Sequence, residues 1–560
     1  MLGLALGLAG TSAPAIATHP GDGDSRTLHA GEPLAGVAGG RLSNAQIRAL
    51  RLDRWHRVDG PGVTVYSNGQ PRQIRRATAD LLRFRDGALK LLGLSPDQIP
   101  DHPLTIFLLR SSTTATLLGD GQPVLGYMVP GLRNHRIVAT MIDRGRVLGS
   151  RNVVMLHEYV HYLLRSSTSF HYAPWYSEGV AELLSTAIPT RRGLRFGEAP
   201  ASALAWLAQG NPPALPVATL AGYRLGSDPR GGRRLIDQAG FYRQSWLLAH
   251  YLLFGPGNAR APLAEYLQRF DAGEDGRQAF ETAFATAFTE GAESAEASPG
   301  RPPSVVLDER LRSYRSDRYR FELPLSAVED AADWPLFALT PPQARLAAAT
   351  LLRHAAPATV IEWLETAEGE APSATVAALR SRAQLGVGDF DEAAATLAAA
   401  ANAPGDRERL LLARADLALA RCRGEARVCE SEDTLREDLA LARDAWEIAP
   451  DAAETRVRYA EALLRNGRST EAIPLLKRAR AQVPASYTVL RELGLAYLNT
   501  EQWAQAVELL RLASGWAANN PPEQRRIGDL LALAQQRRRA AAPRIEDAMT
   551  DDAEPNPRSP

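Results

Sequence analysis

The stretch that decides the fold is Asn152 to Leu184, NVVMLHEYVHYLLRSSTSFHYAPWYSEGVAELL. It holds His157-Glu158-Tyr159-Val160-His161, an H-E-x-x-H motif, followed by a second acidic motif, Ser177-Glu178-Gly179-Val180-Ala181-Glu182. Residues four apart share one face of a helix, so His157 and His161 can offer two imidazoles to a single metal ion, with Glu158 beside them. Val153, Val154, Met155, Leu156, Val160, Leu163 and Leu164 make the same helix apolar nearly all round, which predicts that it is buried. Two imidazoles and a carboxylate buried without partners are costly, and a metal ion supplies the partner. The chain has ten His in 560 residues; at such a composition an H-E-x-x-H arises by chance on the order of once per hundred chains. The structural alternative is an apolar helix that carries two satisfied histidines and an exposed Glu.

A catalytic Zn²⁺ takes three protein ligands and keeps a position for water. Two histidines are one ligand short. Pro174-Trp175 opens a second apolar segment with Glu178 and Glu182 on one face, which makes Glu178 the candidate third ligand, although only one of the two need bind metal. The other can accept the ring N–H of a metal-bound histidine and fix its orientation. Glu158 is then the general base toward a metal-acidified water.

These residues resemble the gluzincins, the branch of zinc metallopeptidases that includes thermolysin and the membrane aminopeptidases. In that family H-E-x-x-H is followed by an N-E-x-x-x-D or N-E-G-x-A motif whose first Glu is the third zinc ligand. The resemblance therefore implies His157, His161 and Glu178 as zinc ligands, Glu158 as base and Glu182 as the acid behind a ligand. More narrowly, Trp175-Tyr176-Ser177-Glu178-Gly179 looks like the bacterial peptidase MA-like proteins that join such a domain to helical repeats. Two departures stand out: the connection between His161 and Glu178 is shorter than in the best known members, and Ser177 stands where the family has Asn. The metzincin pattern is excluded, because Leu164 and Ser167 occupy the positions of its Gly and third His.

The rest of the chain is organised around this pair of segments. Lys plus Arg and Asp plus Glu each total 64, so the net charge is zero and nothing suggests nucleic acid. The first residues, MLGLALGLAGTSAPAIA, read as a secretory signal (1–17) ending in an A-x-A-like site, or as an Ala/Gly-rich terminus, and no later segment is apolar enough to span a membrane. A signal implies a periplasmic or secreted protein, and Cys422 and Cys429, the only two cysteines, suit export if they form one disulfide; two free thiols are the alternative. Residues 18–54 read as a flexible lead-in. Val63–Ser67, Leu104–Leu109 and Ile137–Ile142 read as strands, and Ile74–Leu92 as an amphipathic helix. This order resembles the first half of a gluzincin domain, assigned to 55–290. If Tyr127–Ile142 includes the sheet edge beside the metal, an extended peptide could add to it, and an ordinary edge is equally compatible. Phe241–Phe254 reads as a long apolar helix whose Tyr242 and His250 could approach the site. Tyr242 as an oxyanion donor competes there with a plain core tyrosine.

Residues 291–340 read as linker and connecting segment, with Tyr319–Leu323 as a final strand. From about 341 to 540 the chain is Ala- and Leu-rich and repeats: Ala460 and Gly494, Leu463 and Tyr497, Ala472 and Ala506, Ala479 and Ala513, and Pro450 and Pro484 are each 34 residues apart. Gly388–Ala393 (GDFDEA) echoes Gly467–Ala472 (GRSTEA). The period resembles the tetratricopeptide repeat, which implies an all-α solenoid that binds a peptide or partner protein. Residues 541–560 read as a disordered tail. The expected architecture is thus an α+β metallopeptidase (thermolysin-like, peptidase MA-like) domain followed by a helical repeat array. The expected function is zinc-dependent hydrolysis of a peptide or protein substrate. The competing expectation is an exported repeat scaffold whose metallopeptidase-like domain binds without hydrolysing.

Overall fold

A computed structural model of the chain describes residues 40–118, 126–141, 152–208, 215–223, 238–257, 259–287, 301–325, 334–353, 355–370, 373–424, 432–518 and 520–541. The candidate signal, most of the lead-in, the tail after 541, Cys429 and the side chain of Cys422 lie outside the described residues.

The chain starts with α1 (Asn44–Leu50), the antiparallel pair β1 (His56–Gly60) and β2 (Val63–Ser67), and the long helix α2 (Pro71–Leu92). Then follow β3 (Leu104–Arg110), α3 (Ser111–Leu118), β4 (Gly126–Val129), β5 (His135–Met141), α4 (Val153–Ser167) and α5 (Pro174–Ser185). In the main sheet the order is β4-β5-β3-β2-β1-β9, where β9 is Leu336–Ala338. Strands β2, β3 and β5 run parallel, and β4 returns antiparallel on β5 and forms one edge. Ile74, Ala77, Leu81, Phe84, Ala88 and Leu91 recur every three or four residues along α2 and are buried. They lie on the sheet face that also receives Ile106 and Leu108 of β3 and the apolar residues of α4. Each of the Ile, Leu and Phe side chains among them contributes about 1.5–3 kcal/mol when fully buried.

A smaller sheet follows, β6 (Ile188–Pro189), β7 (Gly193–Phe196) and β8 (Phe321–Pro324), with β7 in the middle. Helices α6 (Ala201–Leu207), α7 (Val217–Gly222), α8 (Gln238–Phe254), α9 (Arg260–Asp271), α10 (Gly276–Ala283) and α11 (Pro303–Ser313) pack around α4 and α5. Two readings of the sequence change here. The segment read as lead-in already carries α1, whose Leu50 is fully buried with Trp55. The described part of 291–340 is not linker: Leu307 and Leu311 of α11 and Tyr314 just after it enter the domain core, β8 pairs with β7 and β9 pairs with β1. Its Pro- and Gly-rich composition matched a linker, but what orders it is pairing with strands over a hundred residues earlier.

The array comprises α12 (Pro341–Leu352), α13 (Pro357–Glu370), α14 (Ala374–Val387), α15 (Phe390–Ala399), α16 (Arg407–Gly424), α17 (Glu432–Ile448), α18 (Ala453–Arg465), α19 (Ser469–Gln482), α20 (Tyr487–Asn499), α21 (Trp503–Trp516) and α22 (Pro521–Ala541). Its first helices belong to the domain before it. Phe107, Leu109 and Val138 alternate with the core-facing residues of their strands and pack on the other sheet face against Ala348, Leu352, Val360 and Leu364 of α12 and α13. The sheet is therefore covered on both faces, which accounts for the unbroken apolar run of β3. Farther on, the helix starts Ala453 and Tyr487, and likewise Ser469 and Trp503, are 34 residues apart, in register with the sequence repeat. Among the described residues no helix is long and apolar enough to cross a membrane.

The turn between the helices of a pair adopts the left-handed conformation at Gly388 (φ 89°), Gly467 (φ 71°) and Glu501 (φ 62°). Only at Glu501 must an L side chain bear that conformation. Glu501→Gly should raise stability by about 0.5–1 kcal/mol in urea unfolding, while Gly467→Ala should lower it.

A second prediction concerns His135, which opens β5 and is 2% exposed, with neither ring nitrogen hydrogen-bonded. Its ring packs edge-on to His102 and Tyr162. Burial, and then the charges of His102 and Arg165, hold its pKa down at about 3. The unfolded chain therefore binds the proton more readily, and stability falls as pH falls from the ordinary histidine range toward 3, by up to about 1.4 kcal/mol per pH unit. Unfolding measured between pH 6 and pH 4 should be less pH-dependent in His135→Phe than in the wild type.

Candidate metal centre

Helix α4 places His157 and His161 one turn apart, and α5 brings Glu178 to them. The α5 position depends on Gly179: a Cβ there would fall 2.3 Å from the Ser245 carbonyl oxygen of α8, so only glycine lets the helices approach this closely. At its start α5 is tied down by Trp175, whose indole N–H donates to the Tyr266 hydroxyl at 2.9 Å. That hydroxyl donates in turn to the Ala221 carbonyl.

Three donor atoms converge. His157 Nε2 lies 3.2 Å from His161 Nε2 and 3.2 Å from Glu178 Oε2, and His161 Nε2 lies 3.4 Å from Glu178 Oε2. Among the described residues this is the one group of three or more such side chains whose donor atoms could share an ion. Tetrahedral zinc with bonds of about 2.0–2.1 Å separates its ligand atoms by about 3.3 Å, so the donor set fits. All three residues are buried.

The other ring nitrogens are also held. His157 Nδ1 is 3.4 Å from Glu182 Oε1, and His161 Nδ1 is 3.1 Å from Ser177 Oγ. Glu158, 3% exposed, lies on the side of α4 that faces β4, where a Cβ on Gly126 would come 3.2 Å from its Cγ. Burial alone would lower the pKa of His157, but the bond to Glu178 and the charges of Glu182, Glu158 and Glu178 outweigh it and raise it to about 9. Burial raises Glu182, against the opposing charge of His157. The field of three carboxylates favours positive charge at the His157 imidazole.

The structure thus brings together every site residue expected from the sequence: His157, Glu158, His161, Glu178 and Glu182. Tyr242 joins them, its ring centroid 6.2 Å from that of His157. His250 does not; its Nδ1 is 2.8 Å from the Tyr314 hydroxyl and its Nε2 is 3.2 Å from the Gly197 carbonyl, as befits a core histidine. Two residues escaped the sequence reading. Ser177 registered only as a substitute for Asn, whereas its hydroxyl pairs with His161. Arg165 follows His161 by four residues, a visible signal. Its guanidinium lies 4.9 Å from the ring centre of Trp516 at the end of α21, and it feels Glu178 and Glu158 as opposing charges while burial lowers its pKa to about 10.

The connection between the two helices of the candidate site is held by the array. Trp516 donates its indole N–H to the Ser169 carbonyl at 3.1 Å, Arg480 donates to the Ser169 hydroxyl at 3.0 Å, and the His171 ring packs against Trp516. The His171 amide is bonded to Asp271.

Comparison with known proteins bears on the array. Two tetratricopeptide repeat family models match, at residues 432–487 and 463–527, so this part of the chain consists of tetratricopeptide repeats, modules of protein interaction. No curated protein matches the chain. Among solved structures, a thermophilic TPR protein of Thermus thermophilus is 18% identical over 34% of this chain and 99% of its own, with a TM-score of 0.29. MamA (residue 41 to the end) of Desulfovibrio magneticus is 17% identical over 30% of this chain and 97% of its own, with a TM-score of 0.21.

Metal titration tests the donor set. The wild type should bind one zinc ion per chain and Glu178→Ala none; Glu182→Gln should bind it about 10–100-fold more weakly, since it only orients a ligand.

Proposed function

We propose that the domain before the repeats is a zinc-dependent peptidase of the gluzincin kind and that the repeats serve it as a protein-interaction module. The observation that carries this reading is the convergence of His157, His161 and Glu178 at 3.2–3.4 Å with Glu158 alongside. A zinc ion held by those three residues would polarise the scissile carbonyl and acidify a bound water. Glu158, beside that water, would act as the general base that accepts its proton and passes it to the leaving amine. Glu182 and Ser177 hold the outer nitrogens of the two imidazoles and so fix ring orientation. Tyr242, whose ring lies beside that of His157, is the candidate donor toward a developing oxyanion. Strand β4 is the edge of the sheet and packs on α4 next to Glu158, which supports recognition of an extended peptide by main-chain pairing. Export to the periplasm or beyond belongs to the same proposal and rests on the apolar leader.

The second reading is a repeat scaffold whose metal-centre domain binds a protein without cleaving it. It is favoured by the similarity to known proteins, which supports the interaction module and is silent on catalysis. One experiment separates the two. On a peptide pool, the wild type should cleave in a chelator-sensitive manner, and Glu158→Gln should retain zinc while losing activity by about 10²–10⁴-fold. A wild type that holds zinc and cleaves nothing establishes the scaffold.

A further inference from the structure

The inner face of the array is already occupied. Helices α14, α16, α18 and α20 touch one another in succession, each the first of a pair. Across the first three runs a network of ion pairs: Arg382 with Asp416 and Glu454, and Arg458 with Asp416 and Glu461. Into it projects the tip of the β4–β5 hairpin. Arg133 places Nε 2.6 Å from Glu454 and a terminal nitrogen 3.4 Å from Glu408, and Leu132 packs against the apolar cluster of the repeats. The tip is held in shape from behind, by His102 Nε2 at 2.8 Å from the Gly131 carbonyl and by the Asn134 side-chain amide donating to Thr105 at 2.6 Å.

The charges explain why an arginine fits. Around this network the array contributes Arg382, Arg458 and Arg409 against Glu408, Asp416, Glu454, Glu461 and Asp406, an excess of two negative charges that Arg133 reduces to one. Glu408 and Glu454 are only 15% and 14% exposed in their side chains. Carboxylates so far from water need a cation, and a guanidinium can bond both at once.

We infer that the inner face of the repeats is a receptor for an arginine-bearing loop of a protein, and that in this chain the β4–β5 hairpin fills it in cis. An external partner then reaches this face by presenting an arginine beside an apolar residue, as Arg133 is presented beside Leu132, and by displacing the hairpin. The inference does not depend on whether the metal centre is hydrolytic.

The probe is a cyclised synthetic peptide of residues 128–137 (MVPGLRNHRI), fluorescently labelled and titrated against the full chain. Arg133→Ala, with the cis arginine removed, should bind it at least about tenfold more tightly than the wild type, whose own hairpin competes at high effective concentration. The same peptide with alanine for its first arginine should lose that binding. Equal binding by the two proteins, or by the two peptides, overturns the inference, as does absence of binding to a folded Arg133→Ala. Should that variant fail to fold, a double-mutant cycle of Arg133→Lys and Glu454→Gln in urea unfolding decides: the inference requires the two losses to be non-additive, and additive losses overturn it.

Discussion

The structure turns on one constraint: α4 is buried on nearly all sides and still carries two imidazoles and a carboxylate. Such groups are tolerated in an apolar interior only when each polar atom has a partner. For the imidazoles the fold supplies these partners from α5, and two further elements close the site around them. Helix α5 supplies Glu178, Glu182 and Ser177, helix α8 supplies Tyr242, and the edge strand β4 closes over Glu158. The close crossing of α5 and α8 at Gly179 lets the first two act together, so a residue without a side chain is as necessary to the site as those with one.

The second consequence concerns the relation between the two parts of the chain. The array is not a separate module hung on a tether. Its first two helices form a layer of the domain before it by covering the back of the main sheet. Its middle helices hold the β4–β5 hairpin, and Arg480 of α19 with Trp516 of α21 holds the connection between α4 and α5. Both segments that border the candidate site are thus in contact with repeats. Arg165 extends the face of the histidines by one more turn and ends on Trp516, which joins the helix of the site to the end of the array.

Much of this was legible in the sequence, and for a common reason. H-E-x-x-H, the face shared by Glu178 and Glu182, the amphipathic period of α2 and the 34-residue repeat are all local patterns, fixed by the pitch of a helix. The apolar run of β3 also spoke clearly, although it did not say what lay on its second face. Within 291–340 the strand read at Tyr319–Leu323 stands as β8, whereas α11 and β9 were missed under the linker reading, because composition reports whether a chain can bend while these elements owe their order to partners far away in sequence. Ser177 was discounted for a similar reason: the motif raised the question of a missing Asn, and only the placement of His161 shows what a hydroxyl at that position does.

By itself, then, the sequence determined the local chemistry: which side chains stand on one helical face, where the apolar stripes run and with what period the array repeats. Tertiary structure alone decided which of these faces meet. That Glu182 pairs with His157 and Ser177 with His161, that His250 stays in the core, and that Arg133 enters the repeats follows from contacts between residues that are in some cases more than three hundred positions apart. No periodicity encodes such contacts, because they depend on how whole helices and strands pack to remove their apolar surfaces from water.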